Sequence, residues 1–214
     1  MAEKKDGFGV VEMEEAGADN STGRAQDAAL TRLPGLKDEI PMYLKVRTVA
    51  DVDRYMDQLR ASARRTQEWI AEQSGDPLDL LLRLKFEPVG GHPIEDRPLN
   101  FIEQINQTWT FAAALAAARQ LLAWHTDVGG FRLAPGADAS IPLDIMSEAE
   151  GQVGAETFAT VSPRNNGKLI ADLAKMALRH ELHRYVFFMS PQYPKAERLP
   201  ELECDGVQVW SVAI

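Results

Sequence analysis

The chain has 214 residues, 45% hydrophobic and 26% charged, with a formal charge of −9. That length suits one domain of ordinary size plus an appendage, and the balance is that of a soluble globular protein. No apolar run nears the roughly 20 residues needed to cross a bilayer, so no membrane partner is expected.

The start, Met-Ala-Glu-Lys-Lys-Asp-Gly, lacks the apolar stretch of a signal peptide. The single cysteine, Cys204, cannot close an intrachain disulfide, which fits a reducing cytoplasm. From Lys85 onward there are 11 Lys and Arg against 16 Asp and Glu. Phosphate binding depends on clustered cations, so the acidity argues against a nucleic-acid coat protein while leaving room for a local basic groove. Arg164, Lys168, Lys175, Arg179 and Arg184 are the densest basic group.

Residues 1–38 are rich in Ala, Gly, Asp and Glu without periodicity and are expected to be a disordered tail. Ile40 to Val46 suits a short extended segment. Thr48 with Asp51 then marks a capped helix start. Val49, Val52, Met56, Leu59, Ala63 and Ile70 recur at helical spacing to about Glu72. That stripe can pack on the domain, the commoner outcome, or on another subunit, giving a homo-oligomer through the N-terminal helix. Asp79 to Phe86 is apolar and ambiguous between helix and strand.

Asn100 and Glu103 predict the start of the longest helix, from about Leu99 to His125, whose Ala-rich middle suits close packing on a sheet. Glu103, Asn106, Gln107 and Thr110 form a polar ridge on it, either solvent-facing or edging a polar cleft. Phe131 to Ala134 reads as a strand. Ile141-Pro-Leu-Asp-Ile-Met146 and Gln152 to Val161 read as two more, with Asp144 in the first and Glu156 in the second. Alternation puts Glu156 on a face with Gln152, Gly154, Phe158 and Thr160, and Val153, Ala155 and Ala159 on the other. Acids among small apolar strand residues need a partner or a metal.

Asn165-Asn166-Gly167 opens a second helix, buried through Leu169, Ile170, Leu173, Met176 and Ala177, with Lys168, Asp172, Lys175 and Arg179 as its polar stripe. Tyr185 to Met189 reads as a doubly buried strand and Gly206 to Ala213 as a closing one. His180 and His183 lack a third ligand at zinc spacing, and His92 and His125 read as structural. A meander followed by a helical crossover makes a mixed sheet flanked by helices, an α/β fold. The expected divisions are the tail at 1–38, an N-terminal helical extension at 39–84 and an α/β core at 85–214.

That order, with Pro142 and Asp144, Glu156 in the next strand, and Asn166-Gly-Lys-Leu-Ile-Ala-Asp-Leu after it, resembles the PD-(D/E)XK nuclease superfamily. The resemblance spans about Phe86 to Ile214 and implies a restriction-endonuclease-like fold. It further implies Mg²⁺ or Mn²⁺ held by Asp144, Glu156 and the carbonyl of Thr157, with DNA phosphodiesters as substrate. The family's lysine stands two residues after the glutamate, where this chain has Phe158. The resemblance then implies a relocated lysine, Lys168, as the third catalytic residue beside Asp144 and Glu156. The alternative is a nuclease-like fold without catalysis that serves as a binding or assembly module.

Overall fold

The structure, a computed structural model, describes residues 43–136, 141–164 and 167–213. The tail expected at 1–38 and the helix opening at Asn165 and Asn166 lie outside these residues. A strand β1 (Leu44–Val46) leads into α1 (Val49–Ala71) and α2 (Pro77–Phe86). A two-residue pair, β2 (Gly90–Gly91) and β3 (Pro98–Leu99), precedes α3 (Phe101–Trp124). Then follow β4 (Phe131–Leu133), β5 (Ile145–Ser147), β6 (Val153–Ala159), α4 (Lys168–Ala177), β7 (His183–Met189), β8 (Glu197–Arg198) and β9 (Gln208–Ser211).

Local chemistry accounts for the helix starts. Thr48 and Asp51 make the reciprocal capping box that their spacing predicts. Asp76 caps α2 ahead of Pro77, whose missing N–H is no loss in a first turn, so the ambiguous apolar run is helical. Asn100 accepts from the Glu103 amide at 2.9 Å and opens α3.

The sheet has seven strands in the order β1-β4-β5-β6-β7-β9-β8. β4, β5 and β6 form an antiparallel meander, α4 crosses over, and β7 and β9 run parallel to β6. The mixed α/β architecture thus stands as expected. The sheet's alternation sorts side chains into two cores. Val153, Ala155, Tyr185 and Phe187 point toward α3. Phe158, Val186 and Phe188 point toward α4, meeting Leu169, Leu173 and Met176. Ala112, Ala114, Ala117 and Ala118 of α3 are buried in the first core, the small side chains letting the helix approach the sheet closely.

Residues 39–84 are not a separate appendage, since β1 is an edge strand of the sheet and α1 packs on α3. A buried polar network fastens the two helices. Thr66 donates to Gln104 Oε1 at 2.7 Å, Gln104 Nε2 reaches Ser62, and Ser62 donates to the Gly91 carbonyl at 3.1 Å. Val52 and Leu59 lie in the core of their own chain, with Met56 against it. The centre of the α1 stripe is therefore used within the chain, while Val49 and Ala63 at its edges stay exposed. Among the described residues no helix is long and apolar enough to cross a membrane.

This placement makes Leu59→Ala costly. Loss of a buried leucine side chain should lower stability by about 2–4 kcal/mol in urea unfolding, with the mass before the transition the same as that of the wild type at equal concentration.

Candidate active site

Asp144 stands one residue ahead of β5 rather than inside the strand. Pro142, two residues earlier, has no N–H to give a ladder, and regular pairing begins at Ile145 opposite Ala155. The Asp144 backbone still follows the sheet, its carbonyl accepting from the Ala134 amide at 2.8 Å. Its side chain turns toward β6, where Oδ2 accepts from the Thr157 amide at 2.8 Å and the Thr157 hydroxyl at 3.1 Å. Thr157 thus enters the site by its amide and hydroxyl, holding the aspartate in place.

Glu156 lies on the α4 face of β6 and is only 2% exposed. Its Oε1 accepts from Lys175 Nζ at 2.8 Å. One turn earlier on α4, Asp172 is equally buried, and Lys168 Nζ donates to its Oδ1 at 2.6 Å. The other oxygen, Asp172 Oδ2, is buried without a hydrogen-bond partner. Positions 168, 172 and 175 follow the three- and four-residue steps of one helix face. The predicted polar stripe is real, but its carboxylate is buried over the sheet and its lysines reach in from the rim.

Electrostatics joins these groups into one site. Burial pushes the Glu156 carboxyl up to about 7, and the Asp144 charge adds to the rise against the opposing pull of Lys175. Burial also raises Asp172, with Lys168 opposing and Asp144 adding. Burial alone would lower the Lys168 ammonium, but its bond to Asp172 and the charges of Asp144 and Glu156 raise it instead. Three carboxylates against two ammonium groups leave one excess negative charge, which a proton on Glu156 or a bound cation can offset.

Of the residues picked from sequence, Asp144, Glu156, Thr157 and Lys168 all fall in this cluster. Lys168 bonds to Asp172, and the lysine on Glu156 is Lys175. Phe158 is buried in the second core, its ring stacked on Phe188 at 5.8 Å between centroids. The strand position that should carry a lysine is thus filled by core packing. Asp172 and Lys175 were missed as site residues because a stripe of alternating charge on a helix reads first as a solvated face. The signal available was its adjacency to Leu169, Leu173 and Met176.

The remaining basic residues do not form a groove. Arg164 pairs with Glu201, Arg179 with Glu181, and Arg184 donates to the last carbonyls of α4 and to Asp205. The His183 ring lies tilted against His125, whose Nε2 meets the Tyr185 hydroxyl at 2.9 Å. His180 is not part of that contact. A cavity of about 650 Å³ opens at the carboxyl ends of β6, β7 and β9 on the α3 side, lined in part by Asn106, Trp109, Thr110, Thr160 and Ser190. Asn106 and Thr110 of the polar ridge therefore do edge a cleft, while Glu103 serves the helix start.

The oxygen donors of Asp144, Glu156 and Asp172 suit a hard divalent ion such as Mg²⁺ or Mn²⁺. The unpartnered Asp172 Oδ2 and the excess negative charge are what such an ion would satisfy. Against this, among the described residues no three His, Cys, Asp or Glu side chains gather as a metal-holding group. Comparison of the chain with protein-family models, curated proteins and solved structures finds no match.

The raised Glu156 carboxyl has a definite sign for stability. The folded state holds this proton more tightly than the unfolded chain, so the contribution is present below the unfolded value of about 4.5. It is lost as pH climbs toward about 7. Chemical unfolding in chelator from pH 5 to 8 should show the wild type losing about 1–3 kcal/mol across that window. Glu156→Gln should flatten the slope, and an unchanged slope would place the titration elsewhere.

Proposed function

We propose that the chain is a PD-(D/E)XK nuclease-like protein with a restriction-endonuclease-like core, cleaving DNA phosphodiesters with a divalent ion. The observation that carries this reading is Lys175 Nζ at 2.8 Å from Glu156, itself under the electrical influence of Asp144. Two acids and a lysine are thereby assembled although Phe158 fills the usual lysine position. The helix, three-strand meander, helix and parallel strand from α3 to β7 further support it.

In this reading Asp144 and Glu156 hold the ion, with Thr157 positioning Asp144. Bound there, a divalent ion would polarise the phosphate and lower the pKa of a water. Lys175 would be the relocated lysine, holding Glu156 through its 2.8 Å contact and lying close enough to the acids to assist a water there. Lys168 opposes the rise that burial imposes on Asp172 and adds positive charge at the rim. General acid–base help of this kind contributes roughly 10²–10⁴-fold in rate.

A second reading has its own support. Thr157 already satisfies one oxygen of Asp144, Lys175 one of Glu156, and Lys168 one of Asp172. A site closed by its own lysines fits a nuclease-like fold that has left catalysis and serves in binding or assembly.

The two readings separate in one set of measurements. On the first, Mn²⁺ raises the unfolding free energy of the wild type by about 2–3 kcal/mol at a hundredfold excess over its Kd, but not that of Asp144→Ala. Plasmid or oligonucleotide DNA is then nicked in Mg²⁺ or Mn²⁺. Lys175→Ala loses roughly two orders of magnitude of that rate, and Lys168→Ala loses less. Absence of both the ion-linked shift and cleavage leaves the second reading standing.

A further inference from the structure

We infer that the cavity at the carboxyl ends of β6, β7 and β9 is a pocket for one unpaired nucleobase, laid against Trp109 and hydrogen-bonded to Asn106. In open α/β sheets, the crevice beyond the carboxyl ends of the parallel strands is where ligands seat. At about 650 Å³ the cavity is of small-molecule size. Its walls are fixed by the chain's own hydrogen bonds. The Ser190 hydroxyl donates to the Val161 carbonyl at 2.9 Å and accepts from the Gln192 amide at 3.2 Å. The Thr160 amide donates to the Met189 carbonyl at 2.9 Å, joining the ends of β6 and β7.

The lining selects a flat, uncharged ring. Among the described residues that line the cavity, none carries a charge. A phosphate or carboxylate inside would lose its water with no cation to replace it. The walls are instead Trp109, Val161, Met189 and Val212, interrupted by a few neutral polar groups. Trp109 and Val161 are 48% and 74% exposed, so the cavity presents apolar surface to whatever enters it. An exposed indole accepts any base, because every base has a π-face to stack on it. Among the described residues nothing hydrogen-bonds the Asn106 side chain. Its amide therefore offers both a donor and an acceptor, the pair that matches an adenine edge.

Position ties that ring to a nucleotide. The Gly136 amide lies 3.4 Å from Asp144 Oδ1, and a Cβ on Gly136 would meet the Thr110 methyl at 3.3 Å. One turn thus touches both the candidate catalytic aspartate and the cavity wall. Thr157, which holds Asp144, stands two residues before Ala159 of the lining, on the same face of β6. Two strand residues span about 7 Å, a distance that one nucleotide bridges from phosphate to base. A strand with its phosphate at Asp144 and Glu156 would bring a base to the cavity. To enter, that base must leave its stack, which favours single-stranded or distorted DNA over regular duplex. That the ring is a nucleobase rests on the nuclease reading, whereas its neutral, planar character rests on the lining alone.

Adenosine, a base without a phosphate, probes the pocket apart from the acid site when titrated into the isotope-labelled intact chain. The Trp109 indole and Asn106 amide resonances should shift, with half-saturation between roughly 0.1 and 1 mM. Trp109→Leu and Asn106→Ala, both at exposed positions, should keep the wild-type circular dichroism and each weaken adenosine roughly tenfold. Asp144→Ala should bind it unchanged. A single-stranded oligonucleotide carrying one fluorescent adenine analogue should be quenched by the wild type and not by Trp109→Leu. Adenosine binding without that quenching assigns the cavity to a free nucleoside and overturns the inference. Still resonances up to roughly 5 mM adenosine overturn it too. So does cyclohexanol moving the same resonances at lower concentration, since the cavity is then a plain apolar site. DNA cleavage with no adenosine shift sinks the pocket alone, and the reverse sinks the nuclease reading alone.

Discussion

The burial of Glu156 beneath α4 is the constraint around which the site is arranged. An ionised carboxylate in an apolar interior is unfavourable by several kcal/mol unless it is paired or protonated. Lys175 supplies the pair, and for its ammonium to reach Oε1, α4 must present its 168–172–175 row over the sheet face at β6. The same orientation puts Leu169, Leu173 and Met176 into the core with Phe158 and Phe188. Apolar packing and charge pairing therefore demand one rotation of the helix. Asp144 enters the same field from beside the neighbouring strand, fixed by Thr157, and its charge adds to the rise that burial imposes on Glu156.

The opposite face of β6 and β7 has no such tension. Alanines of α3 close on Val153, Ala155 and Phe187, and the polar contacts there include the Ser62, Thr66 and Gln104 network between α1 and α3 and the His125–Tyr185 hydrogen bond. A side-chain network in a low-dielectric interior holds two helices in register more specifically than leucine contacts alone. The asymmetry divides the molecule. The α3 side is a fixed support, and the α4 side carries the ionisable groups.

Most elements were legible because their signals are local. The capping pairs Thr48 with Asp51 and Asn100 with Glu103, the period of α1, and the alternation through Val153 to Ala159 each reside within a few residues. The pairing of Asp144 with the neighbourhood of Glu156 was also readable, since consecutive antiparallel strands bring such acids together. Asp172 and Lys175 were not readable as site residues. Helical spacing specifies that they share a stripe but not which way it faces, and charged stripes usually face water. The dipeptide strands at Gly90 and Pro98 and the short β8 carry too few residues for any periodicity to appear.

By itself the sequence determined an α/β chain with a three-strand meander, a crossover helix and two acids at its centre, because periodicity and capping are properties of neighbours along the chain. Tertiary structure decided the roles. It spent Val52 and Leu59 of the α1 stripe on the protein's own core, turned Phe158 into packing, bonded Lys168 to Asp172 and Lys175 to Glu156, and left Leu78, Leu81 and Leu82 of α2 facing outward. Each of those outcomes depends on which surfaces meet, and burial, the energy that sets both pairing and ionisation, exists only once they have met.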